Sequence, residues 1–339
     1  MSSELLLFAH ANQLNEATTH YIGTLARAAE ALGLRLRHAQ HLSEVPRKAQ
    51  VLVVECKSAF KLWLMRPQVQ TWLWMQGIYP EEARLQFNSR AREAWQNQFE
   101  SRALRSVRGV VMVSEAMRLH IARKYPHLHL DSFVMPCANA ELQPEAFMRA
   151  ARYEQPSFVY AGSLHAWQCF DLTLEVYRLV KATYPAASLH VFTGSQEAAR
   201  KQLRAFGLDD VRVERVPLSQ LQDRLAEFKY GFVLRRPHVV NEVSTPTKVS
   251  SYMAAGVIPV MTTAVHDYAR QLSGVSPLVI SEGFEPHEIA AAILRQEQQA
   301  VRPQQMLQSY EHLFERYFSH DRYLPGLRGF LERTGMRGD

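Results

Sequence analysis

Residues Asn241-Glu-Val-Ser-Thr-Pro-Thr-Lys248 run on through Val249-Ser-Ser-Tyr-Met-Ala-Ala-Gly256 into Val257-Ile-Pro-Val-Met261. Ser244 or Thr245 is placed to cap a helix, and Pro246 suits its first turn. Gly256 ends that helix. An apolar run follows at once, as a strand buried on both faces requires. Such a helix start directs backbone N–H groups, with Thr247 and Lys248, to the carboxyl side of a parallel sheet. That geometry suits phosphate. A capped helix with a solvated lysine is the plainer alternative.

Outward from this stretch, short apolar runs alternate with helical patterns, the mark of α/β domains with parallel sheets. Strands are expected at 158–161, 189–193, 211–216, 231–234, 258–261 and 278–280, and two helices after Pro303. Earlier in the chain, strands are expected at 5–9, 51–54, 71–75, 109–113 and 133–135. A polar loop follows Ala9, and a helix over 18–32 stops at Gly33. One long Arg-rich helix is expected from Glu82 to about Val107, and Ser114 caps another through Tyr125. Pro144 and Pro156 place a hinge at 138–156. The expected domains are 1–140 and 141–318, each Rossmann-like, with 319–339 a helix crossing back to the first. Two such domains facing each other hold ligands at the carboxyl ends of their strands.

The chain has 339 residues, 47% of them hydrophobic and 21% charged, which excludes a disordered tail protein. Cys56, Cys137 and Cys169 are distant and odd in number, so no disulfide scaffold is expected and the compartment reads as reducing. No apolar run approaches a membrane span, and Met1-Ser-Ser-Glu does not open a signal peptide. The expected location is cytoplasmic. Residues 1–140 hold 17 Lys and Arg against 11 Asp and Glu, so the whole net charge of +6 lies there. It is either a solvated face or a surface for an anionic partner.

Two other segments carry polar groups at strand ends. In Phe158-Val-Tyr-Ala-Gly-Ser-Leu-His-Ala-Trp-Gln168, Gly162 and Ser163 follow a strand, and Gly162 permits close approach of a ligand. A plain βα turn is the alternative. In Trp74-Met-Gln-Gly-Ile-Tyr-Pro-Glu-Glu82, Gln76 and Gly77 follow a strand. Glu81 and Glu82 open a helix, where they also complement its dipole.

Together the stretches YAGSL and STPTK…YMAAGVIPV resemble the C-terminal, nucleotide-sugar-binding domain of family 4 glycosyltransferases, which have the GT-B fold. WMQGIYPEEA and VVMVSEAMRLHIARKY resemble the N-terminal domain of the bacterial branch that builds capsule, O-antigen and exopolysaccharide. The resemblance implies a retaining transferase that moves a sugar from a nucleotide diphosphate donor, UDP above all, to a glycan or lipid-linked acceptor. It implies catalytic roles for Lys248 and Arg235. It implies donor contacts from Gly162, Ser163, Arg236, Asn241, Pro246, Thr247 and Ser251. Acceptor contacts would come from His10, Gln76, Gly77, Glu81 and Glu82. The sequence departs from the family at several places. Ser251 stands where many members carry the ribose-binding Glu, with Glu242 one position off the frame. Ser163 and Gln168 stand where many carry an Arg and a Lys on the diphosphate. Gln76 replaces a common His.

G-x-G-x-x-G, G-x-x-x-x-G-K-[ST] and Asp-x-Asp are absent, which disfavours dinucleotide oxidoreduction, a P-loop and a metal-dependent transferase. His127 and His129 are expected at the surface, without a metal. Trp63, Trp72, Trp74 and Trp95 are expected in packing rather than base stacking. The expectation is thus a metal-independent transferase with no cofactor and no nucleic-acid partner, able to touch the anionic inner membrane through its basic part. Rival readings are a degenerate GT-B protein that binds without turnover, which Ser251 favours, a nucleotide-sugar epimerase, and a nucleic-acid binder, which the basic part suits but no recognition motif supports.

Overall fold

The structure is a computed structural model; it describes residues 4–10, 14, 16–149 and 151–338. The chain forms two compact units. The first comprises Met1–Asn139, Val243–Thr245 and Ser319–Asp339, and the second Ala140–Glu242 and Pro246–Phe318.

In the first unit six parallel strands stand in the order β2-β1-β3-β4-β5-β6. They are β1 (Glu4–Phe8), β2 (Arg35–Ala39), β3 (Gln50–Val53), β4 (Gln70–Met75), β5 (Gly109–Met112) and β6 (Ser132–Val134). The helices between them are α1 (Glu16–Glu30), α2 (Cys56–Met65), α3 (Tyr79–Phe87), α4 (Arg90–Ser106) and α5 (Glu115–Lys124). The polar loop expected after Ala9 falls largely on residues 11–13 and 15, outside the described residues.

The core forms where apolar strand faces meet helices. Tyr21 of α1 stacks on Trp74 of β4 with centroids 4.2 Å apart, and its hydroxyl donates to the Met135 carbonyl at 2.8 Å. The C-terminal helix contributes Leu327, Phe330 and Leu331 to the same core. Trp72 donates its indole N–H to Thr334 Oγ1 at 2.7 Å, so a buried ring loses no hydrogen bond. Gly109 makes room for Phe330, whose ring lies 2.6 Å from where a Cβ would stand.

Three expectations need correction. The long helix over 82–107 is two helices: Asn88 takes a left-handed conformation (φ 47°) and Ser89 caps α4, its hydroxyl accepting from the Arg92 amide. The strand β2 and the helix α2 were not anticipated. Thr245 does not cap a helix. Its hydroxyl donates to the Val113 carbonyl and accepts from the Cys137 amide, both at 3.3 Å. Ser114 caps α5, accepting from the Met117 amide at 2.9 Å.

The second unit repeats the architecture in the order β12-β11-β10-β7-β8-β9, again all parallel. Its strands are β7 (Ser157–Ala161), β8 (Ser188–Phe192), β9 (Arg212–Glu214), β10 (Tyr230–Val233), β11 (Ile258–Thr262) and β12 (Val279–Ser281). Its helices begin with α6 (Pro144–Phe147), α7 (Phe170–Thr183), α8 (Gln196–Ala205), α9 (Leu218–Leu225) and α10 (Val239–Glu242). There follow α11 (Lys248–Ala254), α12 (His266–Gln271), α13 (Pro286–Glu297) and α14 (Pro303–Leu313); α15 (Leu324–Arg333) belongs to the first unit. Strands β7 and β10 are neighbours from which the chain runs outward in opposite directions. That is the topological switch point, where a crevice opens beyond the strands' carboxyl ends.

Candidate functional site

The loops that leave β7 and β10 meet at that crevice. Helix α11 is set against them by Tyr252. The Tyr252 ring covers β10 at Gly231, where a Cβ would stand 2.4 Å from the ring. Its hydroxyl accepts from the Ala161 amide at the end of β7, at 2.8 Å. Gly256 ends the helix at φ +68°, a conformation that costs glycine least. The first turn of α11, and Lys248 with it, is thereby aimed at the β7 loop. The helix starts at Lys248, with Thr247 at its N-cap making no side-chain cap bond. Part of the expected phosphate-facing backbone is used locally, since the Val249 amide donates to Pro246 and the Ser251 amide to Thr247.

Two cations converge on one neutral group. Arg235 follows β10 and is 1% exposed. Its Nη1 donates to the Gln168 carbonyl at 3.1 Å and its Nη2 to Gln168 Oε1 at 2.7 Å. Its Nε has no hydrogen-bond partner. Lys248 Nζ donates to the same Gln168 Oε1 at 2.8 Å and lies 4.5 Å from the centre of the Tyr160 ring. Gly162, at φ +141°, leaves the space: a Cβ there would stand 2.9 Å from Lys248 Nζ. Neither Arg235 nor Lys248 makes an ion pair among the described residues. Burial, then the charge of Arg235, hold the Lys248 ammonium well below the usual lysine value. Two partly desolvated positive charges without a counter-ion make a site for an anion.

The remaining donor-side candidates surround this pair in different ways. Ser163 presents its carbonyl to the Tyr160 hydroxyl at 2.5 Å. Arg236 is paired with Asp171 at 2.8 Å. Asn241 is buried and donates from Nδ2 to the Arg236 carbonyl at 2.9 Å, holding the loop after β10. Pro246 accepts the Tyr268 hydroxyl at 3.0 Å. Ser251 is buried, its hydroxyl donating to the Thr247 carbonyl at 3.2 Å. Tyr160, Gln168 and Asp171 were not among the expected site residues. Tyr160 and Gln168 lie in the quoted glycine segment, but their roles need the third segment beside them.

The acceptor-side candidates sit at carboxyl ends of the first sheet. His10 follows β1 and is exposed; Gln76 and Gly77 follow β4. Glu82 folds back over Gly77, with Oε1 2.1 Å from where a Cβ would be. Burial pushes its carboxyl up to about 7, against the lowering bond from the Ile78 backbone; the charges of Glu81 and Glu100 add to the rise. Burial would raise Glu81 too. The bonds from His120 at 3.0 Å and Lys124 at 2.7 Å outweigh that and hold it below the usual range.

Of the tryptophans expected in packing, Trp72 and Trp74 are fully buried, while Trp63 and Trp95 are about half exposed. His127 Nε2 accepts from Arg105 Nη2 at 2.9 Å. No group of three His, Cys, Asp or Glu among the described residues is arranged to hold a metal ion.

No protein-family model matches the chain, and no curated protein matches it. Solved structures do. The sucrose-phosphate synthase of Thermosynechococcus elongatus is similar with a TM-score of 0.74 at 13% identity, over 98% of each chain. The chain has the GT-B fold. A second GT-B structure, WaaG, described as a glycosyltransferase involved in lipopolysaccharide biosynthesis, is similar with a TM-score of 0.63 at 12% identity. The match covers 98% of this chain and all of WaaG. A TarM variant from S. aureus, solved with fondaparinux, alpha-GlcNAc-glycerol and UDP, matches with a TM-score of 0.59 at 13% identity. That match takes in 85% of this GT-B chain, which spans 57% of TarM's length.

Proposed function

We propose that the protein is a glycosyltransferase that moves a sugar from a nucleotide diphosphate sugar, a UDP-sugar first, to a glycan or lipid-linked acceptor. The observation that carries this reading is the pair of unneutralised cations, Arg235 and Lys248, at the switch point of the second unit. A diphosphate gains negative charge as the glycosidic bond breaks. Charges already fixed in place stabilise that state more than the bound donor. Lys248 and Arg235 would hold the leaving diphosphate, Gly162 would admit it, and Ser163, Asn241, Pro246, Thr247 and Ser251 would shape the wall. Arg236 would order the loop through Asp171. His10, Gln76, Gly77, Glu81 and Glu82 are proposed for the acceptor. TarM was solved with UDP, and WaaG is described as acting in lipopolysaccharide synthesis, which supports a role in surface-polysaccharide assembly.

Retention fits a front-face reaction, which needs no protein nucleophile. The proposed transfer is metal-independent because two protein cations occupy the role a metal would take. No described helix is long and apolar enough to cross a membrane. The proposed location is cytoplasmic, with peripheral contact at the anionic inner face through the basic first unit. A second reading, binding without turnover, is favoured by Ser251, which offers a hydroxyl bonded to its own helix where the family's Glu grips ribose. Incubation with a panel of UDP-sugars decides between them. Release of UDP with one donor, retained in EDTA, supports transfer. A thermal shift without UDP release from any donor supports the binder. At a hundred times its dissociation constant a ligand adds about 2.7 kcal/mol of stability.

A further inference from the structure

Helix α4 turns an acidic side chain inward. Glu100 is 1% exposed and shares the buried face of α4 with Ala103 and Leu104. Its Oε1 accepts from the Tyr125 hydroxyl at 2.9 Å and from Lys124 Nζ at 2.5 Å. Its Oε2 is buried and has no hydrogen-bond partner. A buried carboxylate oxygen without a donor is costly, and the packing of α4 gives no reason for one.

Glu100 lines a cavity of about 50 Å³ together with Glu55, Cys56, Tyr79, Pro80 and Gln96. Glu55 follows β3 and Tyr79 opens α3 after β4, so the cavity lies at the carboxyl end of the first sheet, on the side of Gln76 and Gly77. Gln96 stands one helical turn from Glu100. Glu55 is the N-cap of α2 yet makes no cap bond, and its carboxylate enters no ion pair among the described residues. Lys57 also borders the cavity, but its ammonium lies 5.6 Å from the Trp95 ring centre and pairs with neither carboxylate. Lys124 is shared with Glu81 Oε1 at 2.7 Å, and Glu81 Oε2 again has no partner. One buried lysine thus serves two buried carboxylates, and Glu55 adds a third. Burial raises the Glu100 carboxyl against the pull of Lys124, and burial and then the charge of Glu100 raise the Cys56 thiol. The cavity is short of positive charge.

We propose that this cavity is a subsite for a primary ammonium group carried by the acceptor, on an amino sugar or on an aminoalkyl substituent. The proposal rests on the transferase reading above and adds to it the chemical class of the acceptor. An ammonium has three N–H donors and no acceptor. Glu100 Oε2, the Glu55 carboxylate and the Gln96 side-chain oxygen accept, and the Tyr79 ring supplies a wall that attracts a cation. The space suits a substituent of a few atoms, with the rest of the acceptor outside it. A metal ion is a poorer occupant, since no three His, Cys, Asp or Glu among the described residues are arranged to hold one.

The test is ligand-observed NMR titration of the full chain with glucosamine, ethanolamine, glucose and N-acetylglucosamine, with UDP binding read on the same samples. Glucosamine, ethanolamine or both should bind about tenfold more tightly than the two neutral sugars, which lack the charge. The tighter of the two amines names the source of the ammonium. Glu55→Gln and Glu100→Gln should each lose most of this preference, while Glu30→Gln, at an exposed position on α1, should keep it. Melting temperatures are compared because Lys124 also depends on Glu100; should Glu100→Gln fail to fold, Glu55→Gln alone decides. Equal binding of amines and neutral sugars, or a preference that Glu55→Gln leaves unchanged, would overturn the subsite. If UDP still binds in that case, the transferase reading stands without it. An amine preference in a protein that binds no UDP would instead remove the acceptor role and the transferase reading together.

Discussion

Gln168 Oε1 accepts hydrogen bonds from Arg235 Nη2 at 2.7 Å and from Lys248 Nζ at 2.8 Å. A neutral amide oxygen thus stands between two cations, where a phosphate oxygen would be better placed. Gln168→Glu puts a full negative charge there. It should raise the melting temperature of the free protein and lower UDP affinity more than tenfold, because the carboxylate competes with the ligand. Gln168→Ala should lower stability by about 1–3 kcal/mol and leave UDP affinity intact or better. Scanning fluorimetry with and without UDP reads both. Losses of UDP affinity of equal size in the two variants would refute the assignment.

Gly162 is at φ +141° and borders Lys248 Nζ. Alanine there strains the backbone by about 1–3 kcal/mol and pushes the lysine from its seat. Gly162→Ala should therefore lower both stability and UDP affinity, whereas Gly194→Ala, with open space around it, should leave UDP affinity unchanged. Matching UDP titrations for the two variants would contradict the steric argument.

Glu82 has its carboxyl raised to about 7, mainly by burial. The unfolded chain gives up this proton near the ordinary glutamate value, the folded chain only near 7. Stability is therefore lost as pH rises through that window, by about 3 kcal/mol at most. Glu82→Gln should be more stable than wild type at pH 8 and equal to it at pH 4. Denaturant unfolding at the two pH values checks this; a difference that does not change with pH counts against a buried, protonated Glu82.

His320 behaves in the opposite sense. Burial, then the charge of His20, lower it to about 4. Its ring contacts Thr24 Oγ1 at 2.8 Å and the Pro136 carbonyl at 3.2 Å, holding the C-terminal segment to α1. Between pH 6.5 and 4 only the unfolded chain takes up this proton, so stability falls with pH by about 3 kcal/mol in total. His320→Gln should flatten that fall in denaturant titrations at pH 7.5 and 4.5. Parallel losses in variant and wild type would show that acid acts elsewhere.

The strands were legible where they are continuous apolar runs, as at Val51–Val53 or Ile258–Met261, because burial on both faces leaves no other composition. Strand β2 was not, because Arg35-Leu-Arg-His-Ala39 lies at a sheet edge and alternates with charge. The break between α3 and α4 is written as Asn88-Ser89, a left-handed residue followed by a cap, inside a pattern that is helical on both sides. Thr245 looked like a cap because its actual partners are 108 and 132 residues away in sequence. Lys248 and Arg235 could be chosen from sequence as cations near strand ends. That they share one amide and lack a counter-ion depends on three segments meeting in space. Likewise nothing local separates Trp72 and Trp74, which are core, from Trp63 and Trp95, which are surface.

Calorimetric titration of UDP and of uridine into wild type and Lys248→Met tests the central claim most directly. If Lys248 and Arg235 form the diphosphate site, wild type binds UDP far more tightly than uridine. Lys248→Met then loses about 10- to 150-fold in UDP affinity, the worth of a charge-assisted hydrogen bond of about 1.5–3 kcal/mol, while uridine binding stays the same. The free variant should melt no lower than wild type, since it no longer places an ammonium where burial and Arg235 oppose it. A folded Lys248→Met protein that binds UDP as wild type does would place the diphosphate elsewhere and contradict the account.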